Sequence, residues 1–96
     1  MAKYIQFPAK FYDGNIFNQI YNTDTITLVT NPDSGNLYIY CGLIRYNYKV
    51  TNHGAVKWVD AINKAILAVP GPTLTNIVVP EDSFLSDFGV ANINAV

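Results

Sequence analysis

A chain of 96 residues and 10.7 kDa holds one domain, residues 1–96, because a second core would have to come from fewer than about 50 residues. Half of it is hydrophobic and 14% is charged, which excludes a disordered charged tail, and a net charge of −1 supplies no basic field to draw it to nucleic acid or anionic lipid. One cysteine, Cys41, excludes an intrachain disulfide, and with one histidine, His53, it cannot form the usual structural zinc sets.

In chain order, Lys3 to Phe7 reads as a first strand, with Ile5 and Phe7 on one face and Tyr4 and Gln6 on the other. Pro8 is expected to end that strand or confine it to an edge. Asp13-Gly14-Asn15 is a turn signal, and Ile16 to Tyr21 fits either a short strand or a helical turn. Asp24 to Thr30 and Leu37 to Cys41 both alternate and flank the turn-rich Asn31-Pro-Asp-Ser-Gly-Asn36, which predicts a hairpin. Pairing Thr30 with Leu37 gathers Ile26, Leu28, Leu37, Ile39 and Cys41 on one face, and Thr27, Val29, Tyr38 and Tyr40 on the other. Gly42 is either the bend of a second hairpin, the favoured reading, or a bulge in one long strand, and the residues after it put Ile44, Tyr46, Tyr48 and Val50 on one side.

The period changes at Ala55. Apolar residues at Ala55, Trp58, Val59, Ile62, Ala65, Ile66 and Val69 follow helical spacing, opposite Lys57, Asp60 and Lys64. Asn52 or His53 is positioned to cap this helix, and Pro70-Gly71-Pro72 to stop it. Asn76 to Val79 reads as a short strand, Pro80 to Ser86 as a turn or a single helical turn, and Phe88 to Ile93 as a last strand. The expected class is α+β, a small antiparallel sheet of hairpins packed against one amphipathic helix.

Few residues suggest chemistry. Cys41 falls on the inward face, where a thiol acts as a small hydrophobe and not as a partner for His53. Ser34, Ser83 and Ser86 stand in turn-like contexts without a nucleophile-elbow motif. Glu81, Asp82 and Asp87 are the acids expected around a turn or a short helical start. The loop from Asn31 departs from a calcium loop, with glycine in the fifth place and Gly42 in the twelfth. No phosphate-cradling glycine motif occurs. The sequence therefore points to a non-enzymatic protein with no cofactor and no metal. The apolar run Ala61 to Val69 is broken by Asn63 and Lys64, and the first residues lack a signal-peptide core, so a protein kept off the membrane and inside a cell, or inside something assembled there, is expected.

Several segments carry a resemblance. Ala2-Lys-Tyr-Ile-Gln-Phe-Pro8, Asp24-Thr-Ile-Thr-Leu-Val-Thr30, Trp58-Val-Asp-Ala-Ile-Asn-Lys-Ala-Ile66 and Ile77-Val-Val resemble small proteins of tailed bacteriophages, especially those of marine bacteria. The resemblance implies a virion component such as a capsid decoration (cement) protein, made in the host cytoplasm and bound to itself or to a major capsid protein. It brings no catalytic motif. The residues expected at such an interface are Val29, Tyr38 and Tyr40 on the uncovered sheet face, with Tyr46 and Tyr48 beside them. The other function these residues suggest is a small ligand- or nucleic-acid-binding module, using the same tyrosines beside Arg45 and Lys49 to stack bases.

Overall fold

A computed structural model describes residues 3–11, 13–68 and 73–92. The first strand, β1 (Tyr4–Lys10), buries Ile5 and Phe7, as its alternation predicts, and runs past the expected end to bury Ala9 as well. It turns through Asp13 and Gly14 into β2 (Ile16–Asn22), which settles that ambiguous stretch as a strand. Gly14 has φ +88°, a conformation open to glycine, and the Asp13 carboxylate accepts from the Asn15 amide at 2.9 Å.

Pro8 neither ends β1 nor lies at a sheet edge. The amides of Thr23 and Phe11 bond across to Lys3 and Asn15, so odd-numbered residues of β1 direct their backbone groups at β2. Even-numbered residues direct theirs the other way. On that side Tyr4 bonds Thr73, Gln6 bonds Ile77, and Lys10 is the next paired position. Pro8 falls in the gap between, where among the described residues no strand position on that side pairs with it and the N–H it lacks is not called for.

The next two strands, β3 (Leu28–Asp33) and β4 (Asn36–Cys41), form the expected hairpin in a different register. Thr30 pairs with Tyr38 and Val29 with Ile39, and the register shifts between Thr30 and Asp33. The six-residue loop is in fact a two-residue turn, Ser34-Gly35, closed by Asp33 and Asn36. The Asp33 carboxylate accepts from the Gly35 amide at 2.8 Å and from the Asn36 side chain at 2.9 Å. The irregularity ahead of that turn displaces the pairing by one residue, so Val29 faces the core with Leu37 and Ile39 while Leu28 is 53% exposed. Residues 24–27 stay out of the strand, because Thr23–Thr25 form a 3-10 turn that Asn22 caps through its side chain.

Gly42, with φ +64°, begins the two-residue turn into β5 (Ile44–Val50), as the sequence predicts. The helix α1 (Ala55–Leu67) buries Ala55, Trp58, Ile62 and Ala65, leaves Val59 and Ile66 half-buried, and pairs Lys64 with Asp60 at 3.1 Å on its outer side. Its N-cap is Gly54, and neither Asn52 nor His53 caps it. The Pro70-Gly71-Pro72 stop lies outside the described residues. A three-residue β6 (Leu74–Asn76) runs parallel to β1, earlier than Asn76 to Val79 suggested, and β7 (Leu85–Asn92) pairs antiparallel with β5. That last strand begins three residues before Phe88, inside the predicted turn, and Ile93 lies outside the described residues.

These seven strands form one mostly antiparallel sheet in the order β2-β1-β7-β5-β4-β3, with β6 beside β1 and one helix on the inner face. The class is α+β. The sheet is not flat. Strands β2 and β5 are three places apart, roughly 14 Å in a flat sheet, yet the Tyr21 ring lies 5.4 Å from that of Tyr46 and its hydroxyl bonds Tyr48. The β1–β2 pair therefore folds over β5. Phe7 sits at the centre, with Tyr21, Tyr48 and Trp58 each 5.7–5.8 Å from its ring.

Candidate functional site

The five residues expected at an interface do not form one patch. Tyr48 and Val29 are in the core, 2% and 8% exposed, and Tyr46 is half-buried against it. Two causes separate them. The one-residue displacement in β3 turns Val29 inward, and the fold-over of β1–β2 covers the side of β5 that bears Tyr46 and Tyr48. Burial disfavours the charged form of the Tyr21 phenol that meets them and drives its pKa up, with the neighbouring Tyr48 adding to the effect.

Tyr38 and Tyr40 do lie on the outer face, half-buried, with ring centres 6.4 Å apart. Pairing places Asn47 and Arg45 beside them. The Arg45 guanidinium sits 4.1 Å over the Tyr38 ring and donates from Nε to Asn47 at 2.8 Å. One face of Tyr38 is therefore already taken by a cation of the same chain.

Three groups weighed for chemistry are brought into contact or enclosed. Ser34 Oγ and His53 Nδ1 are 2.9 Å apart, on the surface. Around them the Ala55 amide donates to Ser34 O at 3.2 Å and the Val50 amide to Gly35 O at 2.9 Å, so the contact fastens the hairpin tip to the helix start. Asn52 and His53 both have positive φ, near 55°, and Asn52 donates to the Asp82 carbonyl. Ser83 is buried, accepts from Trp58 Nε1 at 3.2 Å and donates to Thr51 O at 3.0 Å. That packing explains Gly54, since a β-carbon there would stand 2.6 Å from Ser83 Cβ. Cys41 is half-buried, and loss of solvent pushes its thiol up, away from an activated thiolate.

A concavity arises where the sheet parts at Pro8. β6 leaves β1 after Asn76 and β7 rejoins it at Ser86, which opens a cleft of about 560 Å3 between them. Its walls are Pro8, Ala9, Trp58 and Leu85, and its mouth carries Ile16, Val79 and Phe84. Comparison with protein-family models, with curated proteins and with solved structures gave no match to this chain. These three mouth residues are apolar and open to solvent, Ile16 at 68% and Phe84 at 63%, beside the exposed Lys10 that pairs with Ile16. From Ile16 the apolar exposure continues along the outer face of β2 to Ile20, while Phe17 lies on the opposite face with its ring centre 4.8 Å from that of Phe11. Single exposed apolar residues are ordinary, but a contiguous strip of them marks an interaction surface. The sequence signal for this strip was present in the uncharged Ile-Phe-Asn-Gln-Ile-Tyr run. It was obscured because that run's pairing was undecided.

Proposed function

We propose that this protein is a non-enzymatic assembly component that binds other protein surfaces. The observation that carries this reading is the exposed apolar strip from Phe84 and Val79 at the cleft mouth through Ile16 to Ile20. It replaces the tyrosine patch as the interface, because Val29 and Tyr48 are buried and Arg45 covers Tyr38. That cover also weighs against base stacking, the other use suggested for the tyrosines. The setting we propose is the one its phage-like segments imply, a tailed-phage virion with the chain docked on a capsid protein or on copies of itself. Mass spectrometry of purified virions tests that setting. Detection at a copy number comparable to capsid subunits supports it, and absence from particles while the protein is abundant in the lysate overturns it.

A further inference from the structure

We propose that β2 is the edge onto which a second copy of this chain adds, antiparallel and about a two-fold axis at Asn18, so that the two sheets become continuous. This rests on the assembly reading above and names its first partner. Among the described residues β2 pairs with β1 alone. Because Phe17, Gln19 and Tyr21 direct their backbone groups at β1, the N–H and C=O groups of Ile16, Asn18 and Ile20 point away from the sheet. These are the groups a further strand would bond.

The two outer edges differ. β3 carries Pro32, Asp33 and a register shift, which all obstruct strand addition. No charged residue lies between Asp13 and Asp24, so β2 has neither charge nor proline to do so. Its pattern is also self-complementary. Hydrogen-bonded pairs across a new edge must join outward-pointing residues, and centring the axis on Asn18 pairs Ile16 with the partner's Ile20 on one face. Asn18 then faces its own copy, and Phe17 faces Gln19. Ile16 and Ile20, exposed by 68% and 57%, are brought side by side on the outer face. Such a contact buries on the order of 1,000 Å2, the lower end of stable interfaces.

Sedimentation velocity between about 1 and 200 μM, on the wild-type chain and on Asn18→Lys and Asn18→Asp, tests the pairing. Asn18 is exposed, so neither change disturbs the core. The expected result is a wild-type dimer, two monomeric variants with like charges on the axis, and a dimer restored when the two variants are mixed. Circular dichroism confirms that each variant is folded, and salt restores each partly. A wild-type dimer that both charges leave intact overturns the β2 pairing while the assembly reading stands on another surface. A wild-type monomer throughout the range overturns the pairing and leaves the assembly reading to the virion measurement.

Discussion

Ser83→Ala should destabilise the protein by about 1–3 kcal/mol, and the reason is a single orphaned donor. In the native chain the Ser83 hydroxyl accepts from Trp58 Nε1 at 3.2 Å and donates to the Thr51 carbonyl at 3.0 Å. The carbonyl keeps a partner after the change, because it also accepts from the Gly54 amide at 3.2 Å. The indole N–H, on a side chain with 0% exposure, has no such alternative. Leaving a buried neutral donor unmade costs about 1–3 kcal/mol, against a total stability of roughly 5–15 kcal/mol for a domain. Urea unfolding followed by far-ultraviolet circular dichroism, a readout that survives replacement of Trp58, the one tryptophan, measures the loss. A double-mutant cycle isolates the cause. In a Trp58→Phe background the same serine change should cost less than half as much, since the donor is already gone. Equal losses in both backgrounds would refute the reasoning and assign the effect to packing around Gly54.

Two further predictions follow from the core and the hairpin. Ile62→Ala, at a fully buried position on α1, should cost about 2–5 kcal/mol in a denaturant melt, and a loss below about 1 kcal/mol would mean the helix face is wrongly assigned. The Asn36 side chain and then the Gly35 amide hold the exposed Asp33 carboxyl below its ordinary value of 3.8, so its contribution is present above that value and disappears as pH falls through the lowered one. The stability difference between wild type and Asp33→Asn should therefore shrink on acidification below that value, and a constant difference would contradict the turn geometry.

Much of the fold was legible because local chemistry and tertiary structure agree. Helical spacing from Ala55 meets one buried face, Gly42 has the positive φ its turn needs, and Asp33 and Gly35 build the first hairpin turn. The hairpin register was not legible, since the irregularity before Asp33 costs little locally yet reverses which of Leu28 and Val29 faces inward. Pro8 misled for a similar reason. Its tolerance inside β1 depends on a gap left by β6 and β7, strands more than 60 residues away in sequence. The candidate interface failed on the same kind of information. Alternation placed Tyr46 and Tyr48 together, but only the fold-over of β1–β2 decides that their side is the covered one. Conversely, Ser83 looked like a turn serine, and its burial beneath Gly54 is set by how residues 80–84 pack against the chain at Thr51.

Residue-resolved amide hydrogen exchange along β2, measured at low and high protein concentration, tests the central claim most directly. In the dilute protein the amides of Phe17, Gln19 and Tyr21 should be protected and those of Ile16, Asn18 and Ile20 should exchange freely, an alternation set by the pairing with β1. At concentrations where the chain associates, the three open amides should become protected while those on the β3 edge do not change. Fast, concentration-independent exchange at Ile16, Asn18 and Ile20 in a sample that does associate would contradict assembly through this edge.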